Sequence, residues 1–150
     1  NVKNAKIVIY GGWYGVLSTM LFNSNLGIKH ITSVDIDPKC KEIATTMNKR
    51  YEMEGRFTAV IEDMCTHTPD KDTYMVINTS CEHMNEDWFE AIPKDKMICL
   101  QTNDYFENAQ HHNCCKDLDH ALKKYPVSEL LYSGEIDTQL YKRFMIIGHK

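Results

Sequence analysis

Apolar residues fall into short runs separated by stretches with helical spacing. Ile7-Val8-Ile9-Tyr10, His30–Ile36, Phe57–Ile61, Tyr74–Ile77 and Met97–Leu100 each read as a strand. After the first run, Val16-Leu17-Ser18-Thr19-Met20-Leu21 puts apolar side chains at helical intervals. Asp37-Pro38 opens a second helix, with an N-cap acid and proline at the first helical position. Ile43, Ala44, Met47 and Tyr51 form its apolar face, and Gly55 follows its end. Glu86–Ile92 predicts a short helix with Trp88, Phe89 and Ile92 inward. Asp117–Tyr125 predicts another, with Lys123 and Lys124 in its last turn and Pro126 as its stop. Thr66–Asp72 and Asp104–Cys115 are polar and read as loops, and Pro93-Lys94-Asp95 as a turn. Glu129–Tyr132 and Phe144–Ile147 are two final strands joined by Gly134–Tyr141.

Strands alternating with helices predict an α/β fold with a doubly wound, mostly parallel sheet and helices on both faces. Right-handed crossovers bring the strand C-termini to one edge, where such sheets bind ligands. On that rim fall Gly11–Gly15, Asp35, Asp63, Asn78–Glu82 and Gln101–Asn103.

Length and charge narrow the picture. The 150 residues predict a single domain, 1–150, beginning almost directly in its first strand. No apolar run is long enough to span a bilayer, and no secretory leader is visible. A net charge of -4 argues against a broad nucleic-acid surface but leaves a local one open. The six cysteines, at 40, 65, 81, 99, 114 and 115, form no C-x-x-C pair. They read as reduced, mostly packed thiols of a cytoplasmic protein.

The chemistry concentrates at Tyr10-Gly11-Gly12-Trp13-Tyr14-Gly15. Glycines between a strand and a helix let the backbone turn tightly and approach a ligand. Asp35 lies twenty residues beyond Gly15, near the end of the second strand. A carboxylate so placed can accept hydrogen bonds from both hydroxyls of a ribose. Gly11, Gly12, Gly15 and Asp35 are therefore the first candidates for a nucleoside site.

These residues resemble a class I S-adenosylmethionine-dependent methyltransferase. V-I-Y-G-G-W-Y-G lies where that family has its glycine loop, V-D-I-D-P at its ribose-binding acid, E-D-M beside the adenine and I-N-T-S-C-E-H-M in the loop after the fourth strand. The resemblance implies a seven-stranded sheet whose C-terminal strands form an antiparallel hairpin. It implies S-adenosylmethionine as cofactor, held by Gly11, Gly12, Trp13, Tyr14, Gly15, Asp35, Ile36, Asp63, Met64, Asn78 and Thr79. Three departures stand out. The middle glycine of the family's G-x-G-x-G falls on Trp13, the acid two residues before the first glycine falls on Ile9, and the helices that usually precede the first strand are missing. A homodimer could supply the lid they would form.

For the reaction, Glu82 and His83 are the candidate bases, and Ser80, Tyr105 and His111 the candidate substrate contacts. The expected acceptor is a small molecule with an amine, hydroxyl or thiol. His111-His112-Asn113-Cys114-Cys115, with Asp117 and His120, has metal-binding residue types, but its spacing matches no zinc motif, so no metal is expected and a substrate-facing loop is. Glu135 and Asp137 suit either a cationic acceptor or ordinary loop polarity. Two alternatives compete: a nucleoside-binding module or partner subunit without catalysis, and an NAD-dependent oxidoreductase, which shares the glycine turn and acid.

Overall fold

The computed structural model describes residues 3–150. The elements are β1 (Lys6–Tyr10), α1 (Val16–Phe22), β2 (His30–Asp35), α2 (Pro38–Met47), α3 (Lys49–Met53), β3 (Phe57–Ile61), β4 (Thr73–Asn78), α4 (Asp87–Ala91), β5 (Met97–Asn103), α5 (Leu118–Lys124), β6 (Glu129–Asp137) and β7 (Lys142–His149). The seven strands form one mixed sheet in the order β3-β2-β1-β4-β5-β7-β6. The chain divides into two compact units, Asn1–Ile77 and Asn78–Lys150.

In the first unit β1 pairs parallel with β2, and β2 with β3. Ile7, Val8, Ile9, Tyr10, Ile31 and Val34 fill its core. The continuous apolar run of β1 suits a strand covered on both faces, which is why it reads so clearly, while β2 and β3 carry polar Thr32, Ser33 and Thr58 among their apolar residues. The second helix differs from expectation. It is broken at Asn48 into α2 and α3, and its buried side is Cys40 and Ala44, while Ile43 and Met47 stay exposed. Asn48 is wholly buried. Its Nδ2 donates to the carbonyls of Gly15 (3.0 Å) and Ala44 (3.1 Å), and Thr19 Oγ1 lies 3.0 Å from its Oδ1. A side chain that bonds backbone groups of its own helix competes with the helical ladder, and the helix breaks there.

In the second unit β7 lies between β5 and β6, antiparallel to both, with an irregularity between Leu130 and Tyr132. Trp88, Phe89, Tyr125 and Phe144 pack its core. Three strands run further than the apolar pattern indicates. β5 continues through Gln101-Thr102-Asn103, β6 runs on into the segment expected to be loop, and β7 spans Lys142–His149 where Phe144–Ile147 was expected. Glu135 therefore lies in a strand, 2.9 Å from Lys142 Nζ.

Candidate functional site

In the first unit the glycine turn and Asp35 meet directly. Gly12 N–H donates to the Val34 carbonyl (3.0 Å), which holds the turn against the end of β2. There is no room for a side chain at Gly12, because an added Cβ would stand 1.9 Å from Ser33 Oγ. Gly15 caps α1 in the left-handed region at φ 76°, which glycine adopts without steric cost. Trp13 also has positive φ, 47°, at the position where the family loop has its middle glycine. A bulky residue in that region carries local strain of order 1 kcal/mol or more. Trp13 is 59% exposed, and its ring stacks on Tyr14 at 4.2 Å.

The Asp35 carboxylate is oriented by two backbone amides. Trp13 N–H donates to Oδ2 (2.9 Å) and Asp37 N–H to Oδ1 (3.0 Å). Each oxygen keeps acceptor capacity. The Cys40 thiol is a further hydrogen-bond partner of this carboxylate. A half-buried carboxylate with acceptor capacity left beside these contacts can receive the hydroxyls of a vicinal diol. Ile36, next in sequence, is 64% exposed and offers an apolar surface beside it. The negative field also reaches Cys40, whose thiol is pushed up to about 11 by burial first and then by Asp35 and Asp37.

Asp63 follows β3, which pairs with β2, and Glu62 N–H donates to the Asp35 carbonyl (3.1 Å). Asp63 is exposed and accepts from Cys65 N–H (2.9 Å), but Met64 is buried in the core. Burial, reinforced by the Glu62 charge, pushes the Tyr10 phenol above its ordinary range, and its hydroxyl donates to the His67 carbonyl (3.2 Å).

In the second unit the loop after β4 is tightly built. Asn78 is fully buried. Its Oδ1 accepts from Ser80 N–H (2.9 Å), and its Nδ2 donates to Met84 Sδ (3.2 Å). Both ends of its amide serve the loop itself. The Thr79 carbonyl accepts from Arg143 (3.0 Å). Cys81–His83 form one 3-10 turn, where the pattern of apolar residues gives no sign of an element. Glu82 is 4% exposed, and its Oε1 accepts from Asn103 Nδ2 (2.7 Å). Burial, and then the Glu82 charge, hold the Cys81 thiol well above its usual range.

The loop after β5 folds back onto this turn. The N–H groups of His112 and Asn113 both donate to the Glu82 carbonyl, at 2.9 and 3.0 Å. His111 and His83 therefore lie edge to face at 4.6 Å. His83 Nδ1 lies 3.1 Å from the Gln110 carbonyl, and His111 Nδ1 lies 2.9 Å from the Tyr105 carbonyl. Of the expected acceptor-side residues, Glu82, His83 and His111 come together, with Tyr105 edge-on to His111 at 5.8 Å. Tyr105 also stacks on Tyr141 (5.2 Å) at a surface cavity of about 550 Å³ lined by Asp104–Glu107 and residues of the β6–β7 turn. Asn103 was expected on the rim, but not as the partner that holds Glu82. Its only sequence signal was a polar residue just past an apolar strand.

No family model matches this sequence, and no curated protein does. Solved structures do. The chain is similar to the 4+2 cyclase SpnF, with a TM-score of 0.76 at 9% identity over 99% of this chain and 75% of that one. It is similar to geranyl diphosphate C-methyltransferase from Streptomyces coelicolor A3(2), solved with Mg2+, geranyl diphosphate and S-adenosyl-L-homocysteine (0.74, 10%, over 97% and 73%). It is also similar to coclaurine N-methyltransferase bound to N-methylheliamine and S-adenosylhomocysteine (0.67, 14%, over 89% of this chain and only 47% of that one). At such identities the likeness is one of fold, and the fold is that of the class I S-adenosylmethionine-dependent methyltransferases. One scaffold that hosts a cyclase and two methyltransferases does not fix a reaction.

Proposed function

We propose that this protein is an S-adenosylmethionine-dependent methyltransferase acting on a small-molecule amine, hydroxyl or thiol. The observation that carries the reading is the Asp35 carboxylate, bonded to the glycine loop through Trp13 N–H and still able to accept from a diol. The geometry fits the ribose of a nucleoside cofactor. S-adenosylhomocysteine, present in two of the similar structures, supports the choice among nucleosides.

In this reading Gly11–Gly15 and Asp35 grip the ribose and the methionyl end, Ile36 and Asp63 flank the adenine, and Trp13 and Tyr14 cover an exposed edge. Met64 shapes this region from the core. Asn78 positions Thr79 and Ser80 by holding their loop. When bound, the cofactor supplies an electrophilic methyl group on a sulfonium. The chain's own task is to orient an acceptor and remove its proton. His83 suits the second task, because a proton on Nδ1 shared with the Gln110 carbonyl leaves the Nε2 lone pair outward. Ser80, Tyr105 and His111 are the acceptor contacts. A cytoplasmic, homodimeric enzyme completes the reading, and four buried free thiols fit a reducing compartment.

A second reading, a binding module without catalysis, is favoured by Trp13 in place of a loop glycine. Calorimetry separates the classes. S-adenosylhomocysteine is expected to bind and NAD is not, with Asp35→Ala weakening binding at least tenfold. NAD binding alone would overturn the proposal. Labelled methyl transfer from S-adenosylmethionine into a small-molecule extract then separates enzyme from module. Glu82→Gln and His83→Ala should slow it without loss of cofactor affinity.

A further inference from the structure

Glu82, His83 and His111 each present one ligand atom within 4.8 Å of the others, the only such grouping of His, Cys, Asp and Glu among the described residues. We propose that these three residues form a binding site for a divalent transition-metal cation, with zinc the best match. Two imidazoles and one carboxylate are a donor set that zinc uses in open, three-ligand sites.

Three features of the site go beyond proximity. Both histidines are anchored through Nδ1 to backbone carbonyls, Gln110 for His83 and Tyr105 for His111. That contact fixes the tautomer with the proton on Nδ1 and turns the Nε2 lone pair outward, which is how metal-ligating histidines are normally held. Glu82 is oriented through one oxygen only. Oε1 takes the amide of Asn103, while Oε2 is buried and has no hydrogen-bond partner. A buried carboxylate oxygen without a partner is costly, and a cation is the partner that best offsets the cost. Finally, the loop carrying His111 is fastened to the Glu82 carbonyl by two N–H groups, so the ligands are fixed from both sides of the sequence.

The geometry is close to what a metal needs. Ligands about 2.1 Å from a tetrahedral zinc lie roughly 3.4 Å apart. The cluster has to close by at most about 1.4 Å, and the exposed His83 ring can supply much of that. Asn108 Nδ2, 3.3 Å from His111 Nε2, would give up its long contact. Three protein ligands leave a coordination position for water or for an acceptor oxygen. Metal and proton compete for the same Nε2 lone pair, so His83 serves as proton acceptor only while the metal site is empty.

The test needs no methyl donor, so failure of the methyl-transfer reading leaves it unaffected. Chelator-stripped protein is titrated with zinc chloride by calorimetry and with cobalt chloride by absorption. One equivalent of each is expected, with a cobalt spectrum free of thiolate charge transfer. His111→Ala and Glu82→Gln should weaken binding at least tenfold, and His112→Ala, in the same loop, should not. If Glu82→Gln does not fold, the exposed His83→Ala decides. Absence of saturable binding, a thiolate-to-cobalt band, or undiminished binding in His111→Ala would each overturn the site.

Discussion

Asn48 offers the sharpest test of how the glycine turn is held. Asn48→Ala removes three hydrogen bonds from a fully buried position: two from Nδ2, to the Gly15 and Ala44 carbonyls, and one accepted from Thr19 Oγ1. None of the partners is orphaned. The Gly15 carbonyl keeps Thr19 N–H (3.1 Å), the Ala44 carbonyl keeps the N–H of residue 48 (3.0 Å), and Thr19 Oγ1 still has the Gly15 carbonyl at 3.2 Å. At about 1 kcal/mol per bond, partly recovered by Thr19, the loss comes to about 2–3 kcal/mol. For a chain of this size that is about 5–10 °C in Tm. Asn48→Asp should be worse, about 3–5 kcal/mol, because it sets a buried carboxylate against two carbonyl oxygens. Urea denaturation followed by circular dichroism, with Asn23→Ala as an exposed control, measures all three. A loss below about 0.5 kcal/mol for Asn48→Ala, or an aspartate milder than alanine, would refute the view that this amide clamps the turn.

Three further outcomes follow from the same structure. Gly12→Ala drives a Cβ into Ser33 Oγ and should cost about 1–3 kcal/mol in urea melts, with Ser33→Ala recovering more than half in the double variant. Cys99, pushed up to about 11 by burial, should be about one part in a thousand thiolate at pH 8, so its alkylation followed by mass spectrometry should quicken about tenfold per pH unit up to that value. Burial works to raise the Glu86 carboxyl, but the hydrogen bond and charge of Lys124 outweigh it and hold the group below its ordinary 4.5. Its stabilising contribution is complete above that pH and is lost as the pH falls through the lower folded-state value. Glu86→Gln should therefore flatten the acid limb of a stability–pH profile, and an unchanged limb would count against the pair.

Those tests bear mostly on features the sequence showed incompletely. β1 was legible because its continuous apolar run leaves little choice of environment; β2 and β3 were legible from apolar residues interrupted by Thr32, Ser33 and Thr58, and the β3 bounds matched residue for residue. The meeting of Gly11–Gly15 with Asp35 was legible because a parallel strand–turn–helix–strand unit forces it. The break at Asn48 was hidden, since helical spacing continues smoothly through Met47 and Tyr51 and only tertiary contact with Gly15 interrupts it. The ends of β5, β6 and β7 were hidden because paired backbone, not side-chain hydrophobicity, extends them; β6 exposes Leu130, Leu131, Tyr132 and Ile136. The Glu82–His83–His111 cluster joins residues 28 positions apart, and spacing within either segment gives no hint of it.

The placement of β7 between β5 and β6 also sets an order of events during synthesis. β5 and β6 leave the ribosome first, yet neither has the other as a neighbour. Both wait as open edges until residues 142–149 emerge and slot between them. The second unit therefore cannot zip up progressively from its beginning. A chain truncated before residue 142 would leave β5 and β6 without the strand that pairs with both, and their edges open to other chains.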